Sequence, residues 1–176
     1  PCISDPPTVC YEVAYYTFSV SLPVNQAGYI LASEVNYRIR GITNINSSQV
    51  GATYSCEIPG SVPVADGYTN ISAVFTGSDL VVVCANNFFS YSFAAKDDDG
   101  DLLRYSFCSA FASTNAGVNG VPAGNPPYRS VPYNSPEFSG SFPLGDKVKI
   151  DPQTGLITGI APASGTYVVT VCVEEV

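Results

Sequence analysis

The chain has 176 residues, a net charge of −8, and 12% charged against 45% apolar residues. A charged share roughly half the usual value of about 25% excludes a charge-solvated disordered chain, and the acidic balance argues against phosphate-backbone binding. Histidine, tryptophan and methionine are absent, so Ser-His-Asp triads, Cys-His dyads and His-ligated zinc are excluded. No nucleophile–base pair is visible, and no enzyme is expected. No apolar run approaches the length of a membrane-spanning helix. The missing initiator methionine predicts a processed chain or a fragment.

In chain order, the hydrophobic period is two almost throughout. Over residues 11–22, Ala14, Tyr16, Phe18, Val20 and Leu22 alternate with Thr17, Ser19 and Ser21, and Pro23 ends the run. This pattern predicts a half-buried strand. Over 29–40, Leu31, Val35, Tyr37 and Ile39 form the expected core face, opposite Glu34, Asn36, Arg38 and Arg40. Further strands are expected at Ala52–Ile58, 71–75, 80–84 and 88–95. The alternation of Leu103, Tyr105 and Phe107 with Arg104 and Ser106 marks another over 102–108. Val148–Ile150 and Leu156–Ile160 flank a Pro-Gln-Thr-Gly turn, and 166–173 reads as the strongest strand. No amphipathic helix is expected. The 15 glycines and 14 prolines punctuate short strands, as in all-β sandwiches.

Residues 113–145 break the rhythm. Six prolines lie in this stretch, with Tyr128, Tyr133, Phe138 and Phe142 among them. So long an irregular connection is uncommon. Its aromatics predict an ordered crossover packed on a sheet, or a ligand-facing surface on which sugars or peptides stack.

The sequence Asp97-Asp98-Asp99-Gly100-Asp101 carries the most chemistry. Carboxylates at Asp97, Asp99 and Asp101, with Gly100 allowing a tight turn, suit the hard oxygen coordination of Ca²⁺. Asp98 is expected to point outward. The alternative is a solvated turn that blocks aggregation. Adjacent acids in one turn do not flank a substrate as a glycosidase pair must.

The cysteines are Cys2, Cys10, Cys56, Cys84, Cys108 and Cys172, with no C-x-x-C pair. Disulfides in an oxidising, extracytoplasmic compartment are the expected use.

The string Tyr91-Ser-Phe-Ala-Ala-Lys-Asp-Asp-Asp-Gly-Asp-Leu-Leu-Arg-Tyr-Ser-Phe-Cys resembles the opening of immunoglobulin-like and cadherin-like bacterial modules. Ile150-Asp-Pro-Gln-Thr-Gly-Leu-Ile-Thr-Gly and Gly165-Thr-Tyr-Val-Val-Thr-Val-Cys-Val-Glu-Glu resemble the continuation, so the likeness covers about 80–176. More loosely, 2–23 is similar to repeats of gliding-motility-associated, type IX-secreted surface proteins of Bacteroidetes-type bacteria. There a Cys-Cys-Arg-Asn tetrapeptide is common, where this chain has Tyr37-Arg38-Ile39-Arg40.

The resemblance implies two Ig-like or cadherin-like β-sandwich modules, 1–79 and 80–176, with the boundary near 77–80. It implies a structural and adhesive repeat unit of a secreted bacterial cell-surface protein or filament, stabilised by disulfides and calcium. The alternative is a carbohydrate-binding module using the loop 113–145. Asp151 and Glu175 match acidic family positions as weaker metal candidates. Family members continue past the last strand, so 166–174 is expected beside a strand from a neighbouring module or subunit, by strand complementation.

One disulfide follows from side-chain direction. Cys108 shares the outer face with Arg104 and Ser106, and Cys172 shares it with Thr170 and Glu174. The resemblance makes their strands neighbours, so a cross-strand Cys108–Cys172 bridge is expected, with the two residues opposed at about 4.5 Å between Cα atoms. The remaining cysteines leave several pairings open, with Cys2–Cys10 and Cys56–Cys84 preferred.

Overall fold

The computed structural model describes residues 14–46, 50–58, 60, 71–78, 81–115, 118 and 121–176. The fold is all-β, with no helix among these residues. The described residues form nine strands: β1 (Tyr29–Val35), β2 (Ala52–Ile58), β3 (Val74–Phe75), β4 (Phe88–Ser92), β5 (Ala95–Lys96), β6 (Leu103–Phe107), β7 (Val148–Ile150), β8 (Leu156–Ile160) and β9 (Val171–Glu175). They form small antiparallel sheets, β1-β2, β3-β5, β4-β8-β7 and β6-β9.

The hairpin β7–β8 shows how local chemistry sets the chain path. Asp151 Oδ1 accepts hydrogen bonds from the backbone of Gln153 and Thr154 and from the Thr154 hydroxyl. These fix the turn, and Gly155 leaves it with φ of 68°. A Cβ at Gly155 would lie 2.9 Å from the Tyr105 ring, so the close approach also requires glycine. Tyr105, Val148, Ile157 and Ala161 are buried where this sheet meets β6.

A second buried cluster contains Ile42, Ile45, Ala110 and Val131, with Val50, Ala112, Tyr133 and Val168 packed on it. Residues from both sides of the expected boundary at 79/80 therefore share one core. Asn44 sits here with no exposed surface. Its amide donates to Pro143 O and Val168 O, at 2.8 and 2.7 Å, and its Oδ1 accepts from Val168 N. A buried amide satisfied on every side is the condition under which such a group is tolerated in a core. Thr166 also bridges Ile42 in parallel, so the 166–168 segment lies beside 42–44 of the same chain.

The described residues of the long connection form no extended strand but are pinned by their backbone. Ala112 N donates to Arg129 O and Val131 N to Ala110 O, while Ser130 bridges Phe111 and Tyr133 bridges Ile45.

Besides 80–84, of which 81–84 form no strand, three strand expectations need correction. Residues 14–22 form no strand, and 11–13 lie outside the described residues; Tyr15 and Phe18 are 91% and 66% exposed. Alternation creates a strand only where a ladder partner is present, and no ladder forms here. The second correction concerns the face of β1, where Leu31 and Val35 are each half exposed and Glu34 instead turns toward Ser113, Thr114 and Asn115. Third, the last strand begins at Val171 rather than 166 and pairs with β6.

Cys108 and Cys172 are joined by a disulfide, with 5.9 Å between Cα atoms. The residues are diagonal rather than opposed, since Cys172 faces Ser106 across the ladder. Diagonal side chains on one face of a twisted pair remain within reach. Cys84 is itself disulfide-bonded and Cys56 carries a free, exposed thiol. The preferred Cys56–Cys84 bridge is therefore not formed. Cys2 and Cys10 lie outside the described residues.

Candidate metal centre

Asp97 follows β5 and Asp101 precedes β6, so two short strands hold the ends of the acidic loop. Asp97 Oδ1 accepts from three successive backbone groups, Asp99 N, Gly100 N and Asp101 N, at 3.1, 2.8 and 3.1 Å. Asp side chains commonly close such turns on their own backbone. Gly100 takes φ of 89°, a region that suits glycine. The turn consumes one oxygen of Asp97 and leaves the other. That Oδ2 is buried and has no hydrogen-bond partner.

Across the β6–β9 ladder, Glu175 stands opposite Leu103. This pairing brings its carboxylate to the acidic loop. One carboxylate oxygen from each of Asp97, Asp101 and Glu175 lies within 4.8 Å of the others. Oxygens sharing a Ca²⁺ at about 2.3–2.6 Å sit no more than roughly 5 Å apart, so the spacing suits one ion. The donor set is oxygen alone, which suits a hard cation. This small acidic cluster can hold a metal ion.

The expected triad is thus partly redrawn. Asp97 and Asp101 come together as expected, Glu175 joins them from a strand distant in sequence, and Asp99 turns aside. Asp99 Oδ2 accepts from Ile71 N at 2.8 Å, and Glu175 Oε1 accepts from Ala73 N at 2.8 Å. The acidic side chains therefore also hold the chain entering β3. Asp98 points outward and pairs with Lys96, both well exposed. Asp151 belongs to the β7–β8 turn and not to this cluster.

The electrostatics follow from crowding. Hydrogen bonding with Asp99, followed by the three backbone N–H groups, holds Asp97 below the usual carboxylate range. The same contact with Asp97 pushes Asp99 up. Asp99 can donate to Asp97 only when it carries a proton. With both ionised, Oδ2 of Asp97 has no donor, and either a shared proton or a bound cation would relieve the crowding.

A second carboxylate site escaped sequence reasoning altogether. Glu34 on β1 accepts from Thr53 Oγ1, Ser113 Oγ, Thr114 N, Thr114 Oγ1 and Asn115 Nδ2. Partial burial acts to raise its pKa. The donors from Thr114, Thr53 and Ser113 outweigh this and lower it to about 2. Its partners lie 19 to 81 residues away, beyond the reach of any local motif.

The four aromatics of the 113–145 loop do not form one surface. Tyr128 packs against Phe111, with ring centroids 5.7 Å apart. Tyr133 packs on the core and accepts from Ala110 N. Phe138 and Phe142 line an open cleft of about 650 Å³, together with Asn86, Glu137, Asp146 and Lys147. Phe138 also contacts Tyr167.

The chain matches no protein-family model, no curated protein and no solved structure.

Proposed function

We propose that this chain is a structural and adhesive repeat unit of a secreted bacterial cell-surface protein or filament, stabilised by disulfides and by one Ca²⁺. The buried, unpartnered Oδ2 of Asp97 carries the calcium reading. Asp97 shares a cluster with Asp101 and Glu175, where the chain entering β3 meets β6 and β9. In this reading Asp97, Asp101 and Glu175 supply carboxylate oxygens, and carbonyls or water complete the coordination. Asp99 orients the loop from outside the shell. The family resemblance of the acidic loop and of the final strand supports the surface-repeat role, as does the Cys108–Cys172 bridge in a chain with six cysteines.

Thermal unfolding with calcium and with EDTA tests the metal. The melting temperature rises with calcium in the natural chain, and Asp101→Asn or Glu175→Gln abolishes the rise. An identical melting temperature in calcium and EDTA would refute the site. Adhesion is read by the retention of protein-coated beads on bacterial or host surfaces.

The second reading is carbohydrate binding, favoured by Phe138 and Phe142 on the wall of the cleft beside Asn86 and Asp146. A glycan array separates the two. It is blank for a structural unit, whereas a sugar binder gives a signal that Phe142→Ala removes.

A further inference from the structure

We propose that residues 14–24 of one copy add as a strand to the open edge of β1 in a second copy. The proposal rests on the reading of the chain as a repeat or filament unit and names the segments that join one unit to the next.

The donor is defined by what it lacks. Tyr16, Phe18, Val20 and Leu22 alternate with Thr17, Ser19 and Ser21, and all four apolar side chains are exposed, Tyr16 by 87%. Residues 14–22 take part in no ladder and make no hydrogen bond among the described residues. The turn that follows is nevertheless closed, since Gly28 N donates to Asn25 O, Ala27 N to Asn25 Oδ1, and Tyr29 Oη to Pro23 O. The arm before this turn stays off β1. Pro23 has no N–H to contribute to a ladder beside the turn, which disfavours a hairpin within one chain.

The acceptor is defined in the same way. β1 pairs with β2 along one edge, and its other edge has no strand partner among the described residues. One face of this ribbon presents Tyr29, Leu31, Ser33 and Val35 beside Ala52, Tyr54, Cys56 and Ile58. The opposite face carries Ile30, Ala32 and Glu34 beside Glu57, Ser55 and Thr53. A strand laid along β1 with Tyr16, Phe18, Val20 and Leu22 on the first face places Thr17, Ser19 and Ser21 on the second. The two alternations agree in parity, which is what specifies register in a sheet. Residues 16–22 also equal β1 in length, at seven residues.

Charge identifies the occupant. Neither residues 14–24 nor the first face of the ribbon contains a charged side chain, in a chain of net charge −8. Two copies therefore repel over most of their surfaces but not here. Among the described residues one molecule supplies both an unpaired apolar segment and an unpaired edge, so a second copy completes both. Edge addition of this kind is a general mode of association. It yields a closed pair if reciprocal and an open filament if not.

The test is sedimentation velocity of the full chain over a range of concentrations, with hydrogen exchange read on peptides spanning 14–24. The expected result is a concentration-dependent dimer or longer assembly whose 14–24 amides are protected and lose protection on dilution. Val20→Pro removes a ladder donor, and Phe18→Asp places charge on the apolar face. Each should weaken self-association by roughly tenfold or more, with an unchanged melting temperature at dilutions where the natural chain is monomeric, because these residues make no contact that holds the monomer. A monomer at all concentrations overturns the proposal. So does assembly undiminished in both variants, or protection of 14–24 within a monomer. The calcium-dependent melting shift persists in Val20→Pro, so failure here is distinguishable from failure of the metal site.

Discussion

Two carboxylates in this molecule face opposite surroundings. Glu34 lies among donors: two hydroxyls, a backbone N–H and an amide meet one of its oxygens or the other, and a third hydroxyl completes the set. Asp97 has the donors of its own turn on Oδ1 and none on Oδ2, with two further carboxylates close by. The first acid is a finished structural joint that fastens a long connection to β1. The second leaves an oxygen without a donor, in a cluster that can hold a positive ion. An acidic side chain therefore declares its role less by its own burial than by the sign of what surrounds its free oxygen.

The contrast can be broken in several ways. The largest effect is expected from removing the Cys108–Cys172 bridge, which closes a separation of 64 residues and should cost about 4 kcal/mol in the entropy model. Because the bridge fastens β9 to β6, a Cys108→Ser/Cys172→Ser chain should also bind calcium more weakly. Calorimetric titration would show this, while the Glu34 joint stays intact.

Replacing Glu34 with Ala strands several donors and should cost about 2–3 kcal/mol, measured by urea denaturation. Neutralising the other acid has the opposite sign. Without calcium, Asp101→Asn relieves repulsion and should leave the melting temperature unchanged or raise it by about 2 °C. With calcium, the same substitution removes the metal-dependent gain. If both substitutions destabilise equally in EDTA, the contrast is wrong.

Acid titration gives the smallest effect. Glu34 has its folded pKa lowered from 4.5 to about 2, so its contribution is fully present above about pH 4.5. It is lost as pH falls from there to about 2. Asp151, held low by the Thr154 hydroxyl and the turn backbone, adds to the same limb. Asp97 and Asp99 shift in opposite directions and partly offset. Glu34→Gln should flatten the stability curve between pH 4.5 and 2, as read by circular dichroism.

What could be read from the sequence follows the distance over which each feature is determined. The β7–β8 hairpin was legible to the residue, because Asp151, Thr154 and Gly155 encode the turn locally. The Asp97–Asp101 turn was legible for the same reason. Glu175 is only a weaker candidate in the sequence, since the β6–β9 register is what brings it to Asp101. Glu34 was assigned to solvent because alternation names two faces without saying which one another segment will cover. Residues 14–22 show the complementary failure: their alternation is strong, but a strand also needs an edge, and none is visible in a one-dimensional pattern. Asn44 offers no signal at all, as an isolated amide between two isoleucine-containing stretches looks like a turn residue.

Asn44 also sets the order of events in the life of the chain. Its amide closes on Pro143 and Val168, 99 and 124 residues downstream, and the buried cluster around it draws on the same distant segments. Contacts of such high sequence separation form late, because loop closure must precede the gain in packing. During synthesis the amino-terminal half thus lacks its interior until residue 168 has emerged. The β1–β2 ribbon needs only residues 29–58, whereas the cluster around Asn44 is complete only once the final strands are available.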